Sequence, residues 1–268
     1  MKPPAPPMIL GVLQARVSSS RLAGKVLAPV QGRPMILRQI ERLRRARRLD
    51  ALIVATSTDP SDDPLAELCA AEGVAVSRGP LDDVLARMLA AARPSAPEWL
   101  VRLTGDCPLA DPALIDQVIA ETLAAGADYG SNAVEPSWPD GLDVEVVRMS
   151  VLEAIAAEPR TAAEREHVTL AIHRRPDRFR LLHVKGPRDL SALRWTVDEP
   201  RDLAFVRRVY AALHPAKPDF GTADILDLLA REPDLLRING DIARNEGLAR
   251  SLVHERAGDD QGGMTKER

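Results

Sequence analysis

Three cations and several small residues follow an apolar run near the amino terminus. The run, residues 9–13, has the length and composition of a buried parallel strand, and the loop after it carries Arg16, Arg21 and Lys25 among three serines and Gly24. Small residues let backbone N–H groups approach a ligand closely, and cations neutralise phosphate oxygens. Neither the P-loop pattern nor G-x-G-x-x-G is present. The loop predicts a triphosphate-binding site, although the three cations alone would also suit a solvated surface loop.

Two aspartates each follow an apolar segment with the character of a strand. Asp106 comes after residues 99–104 and one glycine, and Asp198 comes directly after residues 193–197. If these strands belong to one parallel sheet, their carboxyl ends share the edge at which such sheets bind ligands. Mg²⁺ typically takes one or two carboxylates together with phosphates and water. The pair predicts a magnesium site; the alternatives are a turn aspartate at Asp106 and an ion pair between Asp198 and Arg201.

Three strings contain these residues. They are Q-A-R-x-x-S-x-R-L-x-G-K-V-L at 14–27, R-L-T-G-D-C-P-L-x-D-P at 102–112 and T-V-D-E-P-x-D-L at 196–203. Together they resemble the nucleotide-sugar cytidylyltransferases, which include the CMP-sialic acid and CMP-KDO synthetases, and especially the SpsF-like branch. The resemblance implies that CTP is bound by Leu13, Gln14, Ala15, Arg16, Ser19, Arg21, Lys25 and Thr104, with Arg78 at the cytidine end. It also implies catalytic roles for Arg16, Lys25, Asp106 and Asp198, the two aspartates being the Mg²⁺ ligands.

Residues 128–192 contain more polar, loop-like sequence than the preceding part of the chain. The strings P-D-G-L-D-V-E and E-R-E-H-V-T in this segment also resemble the SpsF-like branch. We expect an inserted lobe that carries the acceptor-sugar pocket and a dimer contact, with candidate substrate residues Asp140, Asp143, Glu145, Arg165 and His167. A structural histidine at the start of a helix explains His167 equally well, and no Cys or His set with zinc spacing is nearby.

Apolar strands alternate with amphipathic helices along the chain. The sequence predicts strands at 51–56, 74–76, 99–104 and 193–197, and helices at 35–48, 84–92 and 202–213. This alternation indicates right-handed βαβ units, a parallel sheet and an α/β fold. The resemblance implies, more specifically, the three-layer α/β/α nucleotide-diphospho-sugar transferase fold with a mostly parallel central sheet.

The predicted organisation is a single catalytic domain with a small appendage. Its parts are a catalytic domain over 8–214 that includes the lobe, a helical C-terminal extension over 215–256, and disordered ends at 1–7 and 257–268. Within the extension, helices are predicted at 222–230 and 242–252.

The amino-acid composition bears on which kinds of molecule the protein binds. The formal net charge is −3 and aromatic residues make up 3% of the chain, so we expect no nucleic-acid partner. The amino terminus has neither the apolar core of a signal peptide nor a segment long enough to span a membrane. Two cysteines form no disulfide framework, and a reducing cytoplasm is the simple interpretation.

The resemblance implies transfer of CMP from CTP to an acidic or amino sugar, with release of pyrophosphate, in surface polysaccharide or glycoconjugate synthesis. It also implies a homodimer. Two alternatives remain open from the residues: a GT-A-like glycosyltransferase that consumes a nucleotide sugar, and a non-catalytic subunit of a polysaccharide-synthesis complex. Such glycosyltransferases commonly place a D-x-D pair after a central strand, whereas Asp106 stands alone in Gly-Asp-Cys.

Overall fold

The computed structural model describes residues 8–19, 21–158 and 160–244. Its strands are β1 Ile9–Gln14, β2 Pro29–Val30, β3 Arg33–Pro34, β4 Ala51–Ser57, β5 Ala75–Gly79, β6 Trp99–Thr104, β7 Tyr129–Ser131, β8 Glu145–Arg148 and β9 Leu181–His183. Its α-helices are α1 Met35–Leu43, α2 Asp63–Ala71, α3 Val84–Ala92, α4 Pro112–Ala124, α5 Met149–Ala156, α6 Ala162–Glu166, α7 Leu170–His173, α8 Pro200–Leu213 and α9 Thr222–Arg231.

A mixed sheet forms the centre of the molecule. Within the described residues its seven strands have the order β5-β4-β1-β6-β8-β7-β9. The strands β5, β4, β1 and β6 are parallel to one another, β8 runs antiparallel to β6 and β7, and β9 is parallel to β7. The inner strands are apolar because both of their faces are covered. The predicted mostly parallel sheet is confirmed.

Alternate side chains of β1 enter hydrophobic cores on opposite faces of the sheet. Ile9 and Leu13 belong to a cluster with α1, α4 and α8, whereas Leu10 and Val12 belong to one with α3 and α5. Successive side chains of a strand point to opposite faces, so these helices form two outer layers. The three-layer α/β/α arrangement expected from the resemblance is confirmed.

The segment 128–192 does not form a lobe apart from this sheet. It supplies β7, β8 and β9, which extend the sheet beyond β6. Val146 of β8 is buried in the core with α1, and Val147 in the core with α3. Because the two faces of β8 are buried in the same cores as β1, the segment completes the central layer.

The helix expected over 35–48 is shorter than its periodicity indicated. Helix α1 ends at Leu43. The backbone N–H groups of Arg47 and Arg48 donate to the Asp116 carboxylate of α4, at 3.0 and 2.8 Å. Because these N–H groups bond to a neighbouring helix, they do not continue the hydrogen-bond pattern of α1.

The C-terminal extension begins as an integral part of the core. Helix α9 confirms the helix expected at 222–230, and Phe220, Ile225 and Leu228 are buried in the same cluster as Leu13. Residues 242–244 are not helical, and the rest of the helix expected at 242–252 lies outside the described residues, as do the ends 1–7 and 257–268. Within the described ranges, no helix combines the length and apolarity that a membrane span requires.

Candidate active site

A cavity of about 740 Å³ opens at the carboxyl ends of β1 and β6. Gln14 and Thr104 are the last residues of these two strands, and both line it. Of the residues predicted to bind ligands or catalyse, the cavity brings together Gln14, Ala15, Arg16, Ser19, Arg21, Lys25, Thr104, Asp106, His167 and Asp198. The cavity therefore lies where parallel sheets bind ligands.

The described part of the cationic loop, residues 15–19 and 21–25, is held in shape by backbone hydrogen bonds and one buried carboxylate. The N–H of Val17 donates to Asp62 Oδ1 at 2.6 Å, and Asp62 is fully buried. The N–H of Gly24 donates to the Val17 carbonyl at 2.9 Å, and Gly24 has a φ of +73°, which glycine adopts without strain. The closed loop then enters the 3₁₀ helix Lys25–Leu27, which points Lys25 inward.

Gly105 allows the turn after β6 to approach this loop. Its N–H donates to the Gln14 carbonyl at 2.8 Å, and a Cβ at this position would lie 2.8 Å from Ala15 Cβ. Because real Cβ atoms do not come so close, only glycine fits without displacement of the turn. The close approach brings Asp106 beside Lys25.

The two predicted metal-binding aspartates converge on one ammonium group. Lys25 Nζ lies 3.0 Å from Asp198 Oδ1 and 3.6 Å from Asp106 Oδ2, and it donates to the Val197 carbonyl at 2.7 Å. Arg21 Nη2 lies 2.8 Å from the same Asp198 oxygen. Burial raises the pKa of Asp106, but the charge of Lys25 and hydrogen bonds from neighbouring side chains outweigh it and leave that pKa below its usual value. The Asp106 carboxylate is thus ionised at neutral pH.

Asp198 reaches the cavity by a different route from the one predicted. Residues 193–197 are not a strand of the central sheet; the segment contains an isolated parallel bridge between Arg194 and Asp140. The N–H of Val197 donates to the Asp106 carbonyl at 2.8 Å, and this bond aligns the two aspartates. The shared sheet edge predicted for them is therefore wrong, because backbone pairing with the turn after β6 takes its place.

The alternative ion pair proposed for Asp198 is also absent from the described structure. Arg201 forms a bidentate contact with Asp241, at 2.8 to 3.1 Å, on the exposed surface. Asp198 contacts Arg21 and Lys25 instead. Its carboxylate consequently faces the cavity cations.

Sequence reasoning missed ten residues that line the cavity, and most of them lie after β5 or in and next to α6. The additional lining residues are Val26, Leu81, Asp82, Val84, Arg87, Arg102, Gly105, Ala162, Ala163 and Glu166. Arg87 is 2% exposed and donates to the carbonyls of Pro80 and Leu81, at 2.7 and 3.0 Å. Burial lowers its pKa, and the positive charge of Arg16 lowers it further. The position of residues 80–84, directly after a parallel strand, was the available signal.

Comparison with known proteins assigns the chain to a family. The family model described as cytidylyltransferase matches residues 10–216. The chain belongs to this family. It is accordingly a CTP-dependent nucleotidyltransferase, and the predicted family resemblance is confirmed.

Named relatives of this cytidylyltransferase include two curated proteins and one solved structure. Spore coat polysaccharide biosynthesis protein SpsF of Bacillus subtilis is 33% identical over 84% of this chain and 95% of its own length. The 3-deoxy-manno-octulosonate cytidylyltransferase of Geobacter sulfurreducens is 36% identical over 42% of this chain and 44% of that protein. A cytidylyltransferase from Leptospira borgpetersenii superposes with a TM-score of 0.81 at 27% identity, covering 85% of this chain and 95% of that one.

Some predicted residues of the cytidylyltransferase lie outside the cavity. Leu13 is fully buried in the core, and Arg78 donates to the Ser57 carbonyl and pairs with Asp63 at 2.6 Å. Arg165 pairs with Asp83 at 2.5 Å. None of these three side chains lines the cavity.

The predicted substrate carboxylates of the cytidylyltransferase are occupied by internal contacts. Asp140 accepts from Arg194 at 3.0 Å, and Asp143 from Arg244 at 2.7 Å; burial raises the pKa of Asp143 to about 7 despite that arginine. Glu145 accepts from Arg102, Tyr129 and Thr169. These three carboxylates do not line the cavity. Arg102, which donates to Glu145, does line it.

His167 is the predicted substrate residue that does line the cavity. It follows α6 as its C-terminal cap, not at the start of a helix as the structural alternative supposed. Burial lowers its pKa, so the neutral imidazole predominates at neutral pH.

Proposed function

We propose that this cytidylyltransferase transfers CMP from CTP to an acidic or amino sugar, releasing pyrophosphate, for surface polysaccharide or glycoconjugate synthesis. The observation that carries the proposal is the convergence of Lys25, Asp106 and Asp198 at one point of a cavity that Arg16 and Arg21 also line. The names of the Bacillus subtilis and Geobacter sulfurreducens relatives support a sugar acceptor.

The cationic loop would bind the triphosphate. Arg16 is exposed, and both Arg16 and Arg87 line the cavity, so their positive charges would attract an anion. Ser19, Arg21 and Lys25 provide further donors in the same wall. Each charge-assisted hydrogen bond is worth about 1.5–3 kcal/mol.

The residues at the centre of the cavity fit Mg²⁺. Asp106 and Asp198 direct one oxygen each toward the same Lys25 Nζ, so a cation is already accommodated between them. The described residues contain no group of three acidic, His or Cys side chains arranged for a metal, and this suits an ion that shares its ligands with substrate phosphates. When bound, Mg²⁺ would stabilise the negative charge that develops on the phosphates.

In the proposed reaction the acceptor hydroxyl loses its proton to water and its oxygen forms a bond to the α-phosphorus. The bond from that phosphorus to the pyrophosphate oxygen breaks. Arg16, Arg21 and Lys25 would hold the departing pyrophosphate and neutralise its charge. Catalysis of this kind consists mainly of positioning and electrostatic stabilisation. A neutral His167 would be able to accept a hydrogen bond from the acceptor.

The direct test is pyrophosphate release from CTP in the presence of Mg²⁺ and a panel of acceptors. The panel contains 3-deoxy-manno-octulosonate, a sialic acid and an amino sugar, and each is also tested with UTP, ATP and GTP. We expect pyrophosphate with CTP and one acceptor class, and none from Lys25→Ala under the same conditions. CTP binding without turnover of any acceptor would favour a non-catalytic subunit, and sugar transfer from a nucleotide sugar would favour a glycosyltransferase.

We further propose a cytoplasmic homodimer. The homodimer rests on the family resemblance, and the compartment is supported by Cys69 and Cys107, which are buried free thiols. Light scattering on the purified protein is expected to give twice the mass of the 29.2 kDa chain.

A further inference from the structure

The segment after α9 contacts two residues, Arg194 and Asp202, that lie next to the cavity residue Asp198. Asn239 is 2% exposed, and its Nδ2 donates to Asp202 Oδ1 at 2.9 Å and to the Arg194 carbonyl at 3.1 Å. The Ala243 carbonyl accepts from Arg194 Nη1 at 3.3 Å. These contacts tie the C-terminal extension to the two residues that surround Asp198.

Arg194 and Asp202 determine the position of Asp198. Arg194 donates to both oxygens of Asp202, each at 2.9 Å, and its Nη2 lies 3.4 Å from Asp198 Oδ2. Asp202 is fully buried and also accepts from the N–H groups of Asp198 and Glu199, each at 2.9 Å. The backbone and the side chain of Asp198 are therefore restrained by the same buried pair.

The two oxygens of the Asp198 carboxylate face opposite ways. Oδ1 contacts Arg21 and Lys25 on the cavity side, whereas Oδ2 contacts Arg194 on the buried side. Arg194 also pairs with Asp140, so one guanidinium contacts three carboxylates. Asn239 gives Asp202 a neutral hydrogen-bond donor, which satisfies the buried carboxylate without placing a further cation beside Asp198.

We propose that Asn239 is a positioning residue for the nucleotidyl transfer. It holds Asp202 and Arg194 so that Asp198 presents Oδ1 to the cavity, and the C-terminal extension thereby forms part of the catalytic unit. The inference rests on the proposed function, in which Asp198 is a metal ligand. Mutation of a group that orients a metal ligand typically lowers metal affinity or activity by about 10–100-fold.

The test compares Asn239→Ala with Asp241→Asn in the full chain. Asp241 lies in the same segment and also binds α8, but through the exposed pair with Arg201, away from Asp198. The readouts are Mn²⁺ affinity by calorimetry with a non-hydrolysable CTP analogue present, the unfolding temperature, and kcat and KM for CTP. Asn239→Ser, which keeps one donor, is the second variant if Asn239→Ala does not fold.

We expect Asn239→Ala to weaken Mn²⁺ binding about tenfold or more and to lower kcat, while KM for CTP changes little. Asp241→Asn keeps wild-type Mn²⁺ affinity, and Asn239→Ser lies between. Wild-type Mn²⁺ affinity in both Asn239 variants, with only a lower unfolding temperature, would reduce Asn239 to a structural residue. Failure of the wild-type protein itself to bind Mn²⁺ with the nucleotide analogue would instead remove the metal assignment of the proposed function, and the positioning role with it.

Discussion

Lys25 is the residue around which the charges of the site are arranged. Its side chain is 9% exposed, yet its ammonium contacts two carboxylates and a carbonyl, which offset the cost of burying the charge. Arg16, by contrast, is exposed, and its positive charge lowers the pKa of Arg87. Replacing Lys25 is therefore expected to affect the folded structure as well as the site, whereas replacing Arg16 is expected to affect the site alone.

Arg16→Ala is predicted to weaken CTP binding about tenfold or more while the protein stays folded. The substitution removes a charge-assisted contact with the nucleotide worth about 1.5–3 kcal/mol, and Arg16 forms no ion pair among the described residues. Calorimetric titration with CTP measures the effect. Arg78→Ala is the control, because Arg78 pairs with Asp63 outside the cavity and should leave CTP affinity unchanged. Wild-type CTP affinity in Arg16→Ala would exclude Arg16 from the nucleotide site.

Asp106→Asn and Asp198→Asn are each predicted to reduce turnover about a hundredfold or more. Both changes keep side-chain shape and remove a charge from the same point, so the double variant should lose little beyond either single one. Pyrophosphate release at saturating Mg²⁺ measures this. Asp198→Asn should also unfold more easily, because Asp198 contacts three cations, Arg21, Lys25 and Arg194. A double variant that shows the product of the two single losses would contradict a shared ion.

Two short backbone elements, rather than whole strands, bring the site together. The turn after β6 packs on the end of β1 through Gly105, and the segment 193–197 bonds to that turn through Val197. Gly141, with a φ of +102°, allows a similar approach on the other side, since a Cβ there would lie 2.4 Å from the Thr196 nitrogen. Glycines at such contacts determine the distance between elements.

Gly105→Ala is predicted to destabilise the protein by about 1–3 kcal/mol and to reduce turnover. The added methyl meets Ala15 Cβ and the Gln14 carbonyl and pushes Asp106 away from Lys25. Denaturant unfolding and pyrophosphate release measure the two effects. Gly221→Ala is the matched control, because its nearest neighbour would lie at an ordinary 3.5 Å and its φ is negative. Full activity in Gly105→Ala would show that the close approach is not needed.

At the scale of the whole molecule, the catalytic domain and the described part of the C-terminal extension share one core. Phe220, Leu228 and Leu235 are buried in the cluster that contains Leu13 of β1. Tyr210 of α8 packs edge-on against Phe220, with ring centroids 5.2 Å apart. The expected boundary at residue 214 therefore falls within a continuous hydrophobic core.

Leu228→Ala is predicted to lower the free energy of unfolding by about 2–5 kcal/mol. Leu228 is 2% exposed in α9, and its truncation leaves a cavity in the shared core. Leu236→Ala, at a side chain that is 40% exposed in the same extension, should change it by less than about 0.5 kcal/mol. Denaturant titration compares them. If Leu228→Ala unfolds in a separate transition that leaves β1 intact, the extension is an independent unit.

Local sequence was sufficient to determine the strand β1, the cationic loop, helix α3 at 84–92 and the presence of Asp106 at a strand end. Each follows from hydrophobic periodicity or from small and charged residues that act within a few positions of one another. The family motifs likewise identified most residues that line one side of the cavity.

The tertiary structure alone decided how Asp198 meets Asp106 and which polar residues are free to face a ligand. Residues 193–197 have a strand-like composition, but their backbone donors pair with Asp106 and Asp140 instead of a neighbouring strand. Arg78 lies in β5 and Arg87 in the helix that follows it, yet Arg78 pairs with Asp63, whereas Arg87 lines the cavity. Such outcomes depend on partners brought together by the packed fold, and no local pattern specifies them.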